Sequence, residues 1–551
     1  MERMGKREWL GLAALFCLFG GLFSYLPIRG FDRYLSPDET AVAVSALEWA
    51  REGSITLSEP LAWKFPGLHP RSWVTRFDTI VPVGFMGWPW INSLLIRITG
   101  PNWISLAAML IILSAIYPFY RLLRPLGVNA AELGTLIAFS TPAVILYANR
   151  SLFPNAGLIA LVIWSCWMMN QISRVIPSEV EGTSKISPRA SLGREDAHVF
   201  IAGLLTSTAL AIRPVEALWI LPWFIYFGRA WRPSRKEILV FVAGILIAWL
   251  PFAWQAQASY GSIFSIGYFI QGNPDPYAVA TTSSLPQNPA FLPFGLSLRN
   301  ILWNSYHFLL GPLFPWMVPL LVGLVLVFST VAKRSGEIFV KGRSFLDSLR
   351  SLGMTYPITL FIIWTCLFLI LYYGNGRYAD NIQGIPTVGN SFIRYLLPLG
   401  ILSGGVFAWL YTIIESRRNG RIIIGLMACI LVFAGVFESY AADSEGLLKV
   451  QPEITRYERI NEKAKEFFKS EDVIISDRSD KIFFPDFRAW SPMPDMESIA
   501  RLGRDPSKIS IGLFARSLSQ SQRDEWRKAG LEPVELYADS REVLYRLQPI
   551  K

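Results

Sequence analysis

Apolar blocks long enough to cross a bilayer dominate this sequence. Lipid leaves no water to satisfy exposed backbone groups, so such a chain is restricted to folds that pair those groups within helices or a closed barrel. The blocks run at roughly 9–28, 80–98, 103–121, 130–147, 155–172, 199–213, 214–228, 237–256, 303–328, 355–373, 393–413 and 421–438. Of the 551 residues, 52% are hydrophobic and only 17% charged, whereas soluble domains carry about 25% charged residues. Twenty Trp and 36 Phe supply many candidate interfacial anchors. Arg3, Lys6 and Arg7 precede an apolar run to about Ile28, as in a signal peptide. No small-residue cleavage site follows, so an uncleaved first transmembrane helix is the better reading.

Basic clusters set the topology. The block at 80–98 holds two prolines, two glycines, two tryptophans, Asn92 and Arg97. If it spanned, the clusters Arg121/Arg124, Arg229/Arg232/Arg235/Lys236, Lys333/Arg334/Lys341/Arg343 and Arg417/Arg418/Arg421 would all fall outside. That would invert the positive-inside rule at nearly every loop. If it lies in the interface plane, all of them become cytoplasmic. The expectation is therefore an all-α polytopic membrane protein of about eleven transmembrane helices with the N-terminus cytoplasmic. The external segments would be a first loop at about 29–102, turns at Tyr147–Pro154 and Arg213-Pro214, loops at 257–302 and 374–392, and the tail from 440. The same bias explains most of the net charge of +10. No basic stripe interleaved with aromatics points to a nucleic-acid partner.

The polar stretch 174–196 reads as a disordered cytoplasmic loop. No internal repeat at a fixed period is visible. The tail alternates expected helices (453–469, 518–529) with expected strands (473–477, 509–515, 534–547), the pattern of a small α/β domain. The domains expected are therefore 1–440, transmembrane, and 441–551, extracytoplasmic. Cys17, Cys166, Cys366 and Cys429 all lie in apolar blocks without CxxC spacing and read as small buried hydrophobes. The three histidines are His69, His198 and His307. His198 falls on the opposite side from the other two, so they form no metal triad, and nothing supports a divalent metal. His307 and His69 remain candidates for substrate contact. Trp63, Trp73, Trp88 and Trp90 of the first loop read as interfacial anchors, with sugar stacking as the other account.

The acidic pair Asp38-Glu39 follows the first helix. Ser36, Pro37 and Glu39 form a capping box that opens an amphipathic helix ending near Gly53. Capping is one account of both carboxylates. The other is general-base chemistry, for which a carboxylate must come within hydrogen-bond reach of an acceptor hydroxyl or amine. The two are compatible if Glu39 caps while Asp38 faces substrate.

A first helix followed by Ser36-Pro37-Asp38-Glu39 and an amphipathic helix ending in Gly53 resembles the GT-C fold glycosyltransferases of the protein O-mannosyltransferase and aminoarabinose-transferase type. Three more segments resemble that family in order: Tyr147-Ala-Asn-Arg150-Ser-Leu-Phe-Pro154, Ala211-Ile-Arg213-Pro214, and Ser391-Phe-Ile-Arg394-Tyr395-Leu-Leu-Pro398. The resemblance covers residues 9–440 in layout. It implies interfacial helices in the first loop, a catalytic carboxylate in the acidic pair, and a donor sugar carried on a polyprenyl phosphate. Asn155 departs from the acidic residue many members carry after that proline, which leaves no second carboxylate or metal ligand there.

Arg150, Arg213 and Arg394 all sit at external ends of apolar blocks. Snorkelling to headgroups is one account. The other is that they hold the donor phosphate, since Arg binds phosphate bidentately and stays charged. Tyr395 lies beside Arg394 as a further candidate contact. The reading that follows is an inverting glycosyltransferase on the external face of the cytoplasmic membrane. Its partners would be membrane lipids, a polyprenyl-phosphate-linked sugar, and a glycan, lipid or protein acceptor. A transporter or lipid flippase is the alternative, but transporter sites lie near the midplane, often in repeated halves. In a structural assembly subunit, a third class, Asp38 and the arginines would tolerate alanine.

Overall fold

The computed structural model describes residues 4–175, 188–228, 233–263, 295–326, 355–376, 378, 386–443, 445–504 and 509–550. Residues 176–187 of the polar stretch expected at 174–196, much of the loop at 257–302 and the whole basic cluster 333–343 lie outside the described residues; 188–196, expected as disordered loop, is instead the first part of the helix Pro188–Ile212. The chain is mostly helical and divides into two compact units. Unit 1 comprises Met1–Ile28, Leu106–Pro251 and Ser284–Leu448; unit 2 comprises Arg29–Ser105, Phe252–Ser283 and Lys449–Lys551. The first loop and the tail, far apart in sequence, thus fall in the same unit.

Unit 1 is built from apolar helices. Among the described residues five helices are long and apolar enough to cross a membrane: Pro101–Leu126, Pro154–Ile172, Arg235–Tyr260, Leu397–Ile414 and Gly420–Ala441. Three bent pairs raise that number to as many as eight among the described residues, against about eleven expected. The expected span 130–147 is one such pair, bent by 63° where Pro142 starts a new helix. The expected turn at Arg213-Pro214 is a bend of 117°, because proline cannot continue the preceding helix. Small residues let helices approach closely. At Gly404 a Cβ would lie 2.4 Å from the carbonyl oxygen of Gly134, and at Gly134 it would lie 2.8 Å from that of Gly404. The cysteines are all free, but only Cys166 is buried; Cys17 and Cys429 are exposed. Both lie on exposed faces of apolar helices, Lys6–Phe23 and Gly420–Ala441.

Unit 2 holds the acidic helix Pro37–Glu52. Ser36 and Glu39 form the capping box, and Gly53 closes the helix at φ 72°, where a side chain would be strained. Beside it, the apolar block at 80–98 is not one element. Its first residues form a strand, and only Gly87–Thr99 is helical. Thirteen residues rise about 20 Å, well short of the roughly 30 Å hydrocarbon core. Arg97 ties this helix to its neighbour by donating to the carbonyl oxygens of Trp49 and Ala50.

Strands β1 (Leu57–Ser58), β2 (Trp73–Arg76) and β3 (Thr79–Pro82) form an antiparallel sheet in the order β1-β3-β2, which the sequence did not announce. In the tail, β4 (Val473–Ser476), β5 (Arg488–Trp490), β6 (Ile511–Ala515), β7 (Leu531–Ala538) and β8 (Val543–Pro549) form a sheet in the order β5-β4-β6-β8-β7. Strand β4 runs parallel to β5 and β6, while β8 is antiparallel to β6 and β7. The single strand expected at 534–547 is therefore a hairpin. Its turn is made by Asp539, whose carboxylate accepts from the N–H groups of Arg541 and Glu542.

The cores of unit 2 mix the two stretches of chain. Leu61, Phe65 and Leu68 pack with Val473, Trp490, Ile511 and Trp526, while Ala41, Val44, Trp73 and Ile80 pack with Phe484 and Ala489. Arg33, 4% exposed, pairs with Asp486 and donates to the carbonyl oxygen of Ile482. Burial works to raise the Asp486 carboxyl, but the Arg33 charge and hydrogen bonds from Asn461 and Lys465 outweigh it and hold the group below its ordinary value. A carboxyl depressed on folding contributes stability above its unfolded pKa and loses it as pH falls through the folded value. We expect the melting temperature to fall as pH drops below about 4. Asp486→Asn should flatten that dependence when both proteins are followed by calorimetry.

Candidate functional site

In unit 2 the capping geometry separates the two carboxylates. Glu39, 3% exposed, accepts from the backbone N–H of Ser36 at 3.2 Å, so its carboxylate is turned back onto the helix end. Asp38 is only partly buried, and its Oδ1 accepts from the Ser72 hydroxyl at 2.7 Å. His69 lies nearby in sequence. Its Nδ1 is 3.0 Å from the carbonyl oxygen of Pro70, and its own carbonyl accepts from the Ser491 N–H at 3.1 Å. The four tryptophans do not share one role. Trp63 is exposed, but Trp73 and Trp88 are fully buried core residues and Trp90 stacks edge-on against Phe252. Trp73 and Trp88 are thus not interfacial anchors, because the sheet and the two loop helices enclose them.

In unit 1 the three expected arginines fall into one row, interleaved with aromatic rings. Arg150, 6% exposed, lies 4.7 Å from the centre of the Phe153 ring, and Arg394 lies 5.0 Å from the same ring. Arg394 is also 5.3 Å from the Tyr395 ring and donates to its hydroxyl at 3.3 Å. Arg213 is 4.7 Å from Tyr395 and 5.6 Å from Tyr373, and these two rings stack at 4.2 Å and 10°. The aromatic faces offer the guanidinium groups a partner that carries no negative charge. Three cations from three separate turns of chain are therefore gathered in one row, in which Arg213 pairs with Glu216.

Glu216 was not singled out from the sequence. It is 2% exposed and accepts from Arg213 Nε at 2.9 Å, from the Tyr373 hydroxyl and from Trp219 Nε1. Arg213 donates to the Tyr373 hydroxyl at 3.0 Å as well. The available signal was the spacing Arg213-Pro-Val-Glu216, an i,i+3 pair across a proline turn. Tyr147 secures the row from another side by donating to the carbonyl oxygen of Gly389 at 3.1 Å, ahead of the Arg394 helix. Asn155 is buried, and its side-chain oxygen has no hydrogen-bond partner. His307 lies in a π-helical turn against Trp303, at 4.2 Å between ring centres. Among the described residues no three His, Cys, Asp or Glu side chains gather as a metal site.

No family model and no curated protein matches the sequence. Solved structures do match the fold. Crystal structures of ArnT from Cupriavidus metallidurans, one bound to undecaprenyl phosphate and one in the apo state, each align at a TM-score of 0.54. Identity is 12%, and the alignment covers 98% of both chains. The archaeal oligosaccharyltransferase AglB from Archaeoglobus fulgidus, in complex with an inhibitory peptide and a dolichol-phosphate, aligns at 0.43 and 10% identity over 91% of this chain and 69% of its own. The chain is a polytopic membrane protein with the GT-C fold that ArnT shows.

Removing Glu216 would leave the Arg213 guanidinium buried without a carboxylate. Breaking a buried pair in this way costs about 3–5 kcal/mol. Glu216→Ala should therefore lower the melting temperature in detergent substantially. Glu216→Gln, which can still bond Tyr373 and Trp219, should lower it less.

Proposed function

We propose that the chain is an inverting glycosyltransferase that moves a sugar from a polyprenyl-phosphate donor to a protein, lipid or glycan acceptor on the external face of the cytoplasmic membrane. The observation that carries this reading is the row Arg150, Arg394 and Arg213 over Phe153, Tyr395 and Tyr373. Guanidinium groups bind phosphate bidentately, and a fold shared with ArnT, one of whose structures holds undecaprenyl phosphate, makes a lipid phosphate the natural ligand.

In this reaction the acceptor oxygen or nitrogen attacks the anomeric carbon from the face opposite the phosphate. Asp38 takes the acceptor proton as the new bond forms. The bond from the anomeric carbon to the phosphate oxygen breaks, and the electron pair leaves with the phosphate. Charge on that oxygen rises in the transition state, so preorganised guanidinium groups lower the barrier. Glu39 holds the end of the helix that carries Asp38. Tyr395 keeps Arg394 and Arg213 in place between stacked rings, and His307 and His69 are further candidates for substrate contact.

Binding of undecaprenyl phosphate to the purified protein tests the phosphate seat without knowledge of sugar or acceptor. Arg394→Ala and Arg150→Ala should each weaken it by about tenfold or more, the effect of losing roughly 1.4 kcal/mol, and unchanged affinity would remove the arginines from donor binding. Asp38→Asn should leave that affinity intact. With a panel of undecaprenyl-phosphate hexose and pentose donors, it should reduce transfer by about 10²–10⁴-fold, the usual worth of a general base.

A further inference from the structure

The tail carries a small sheet whose parallel strands end beside the first loop, and the residues that meet there form a continuous chain of bonds to Asp38. Asp480, 1% exposed, lies just beyond β4. Its two carboxylate oxygens grip Arg71 twice: Oδ1 accepts from Nε at 2.8 Å and Oδ2 from the backbone N–H at 2.9 Å. A second guanidinium donor of Arg71 reaches the carbonyl oxygen of Arg478. The next residue, Ser72, has φ 65°, in the left-handed region that a side chain other than glycine seldom occupies. It is the Ser72 hydroxyl that donates to Asp38 at 2.7 Å. On its other side Trp73 is 2% exposed and packs edge-on against Phe484 of the tail at 5.3 Å.

A backbone conformation of this kind persists only where its surroundings over-determine it. Here the surroundings are Asp480 before Ser72 and Phe484 after it, both from the tail. We infer that the tail is a positioning device for the acidic helix, in which Asp480 acts through Arg71 and the strained Ser72 to aim the Asp38 carboxylate. This rests on the reading of Asp38 as the general base. Asp480 itself is a positioning residue. The same arrangement explains why a charged residue so deep in the tail domain faces the first loop instead of solvent. The double grip also requires a planar, two-oxygen acceptor, which an amide at 480 cannot supply to both N–H groups.

The test uses the full chain in nanodiscs and needs no substrate. Carboxyls are modified with a water-soluble carbodiimide and glycine ethyl ester across a pH series, and labelling of Asp38 is read by peptide mass spectrometry. Carbodiimide reacts with the protonated acid, so loss of a hydrogen bond to the carboxylate speeds labelling. Ser72→Ala should raise it by about fivefold, the effect of one hydrogen bond. Asp480→Asn should produce a similar rise although it does not touch Asp38, and the double variant should go no further than Ser72→Ala alone. Asp480→Glu should recover part of the wild-type rate. Asp495→Ala, which removes the helix cap accepting from Ser498 N–H at 2.8 Å, weakens the same domain elsewhere and should leave Asp38 labelling unchanged. A wild-type profile in Asp480→Asn, or an equal rise in Asp495→Ala, would overturn the inference. Full transfer by Asp38→Asn would instead sink the reading of Asp38 as base and leave the labelling result standing.

Discussion

Unit 2 depends on two arginines paired with aspartates 400 or more residues away, each pair with one partner almost fully buried. Arg33 meets Asp486 (|i−j| 453) and Arg71 meets Asp480 (|i−j| 409). Each pair joins the same two stretches of chain that share the apolar cores of this unit. Desolvating two charges is unfavourable unless their geometry is good and further hydrogen bonds are made. Both conditions hold here. Asp486 also accepts from Asn461 at 2.6 Å, and Asp480 accepts from a backbone N–H as well as a guanidinium. The pairs also fix register, because a slipped packing would leave Arg33 and Asp480, both almost fully buried, without their partners.

Unit 1 solves a related problem differently. Three guanidinium groups stand at the ends of apolar helices, and that of Arg213 pairs with the Glu216 carboxylate. Aromatic faces link the three, with Phe153 shared by Arg150 and Arg394, and Tyr395 by Arg394 and Arg213. A ring face attracts a cation without neutralising it. Sharing two rings among three arginines is what draws them into one row.

What the sequence disclosed follows from the range of the physics involved. The capping box at Ser36, the left-handed close at Gly53 and the proline bend after Arg213 are local, and each was legible from a few adjacent residues. The three arginines were legible because their positions at block ends follow from hydropathy. Glu216 was hidden since its value comes from Tyr373 and Trp219, neither marked by spacing. The first-loop sheet was hidden too. Its strands are two to four residues long, and β3 continues into an apolar block that reads as helix. In the tail, the hairpin turn was written in Asp539-Ser-Arg-Glu542, but strand propensity on both sides masked it.

The partition of the chain was the least legible feature, for a reason that bears on function. Hydropathy separates a transmembrane portion from a polar tail at about residue 440, which is a statement about solvent. Packing groups the chain by mutual burial, and by that criterion residues 29–105 go with the tail. Leu61, Phe65 and Leu68 of the first loop are buried against Trp490 and Ile511 of the tail. A tail that only recognised an acceptor could sit on a flexible tether. One that supplies half of a core, and holds Ser72 in a conformation it would otherwise leave, is part of the support of the acidic helix itself.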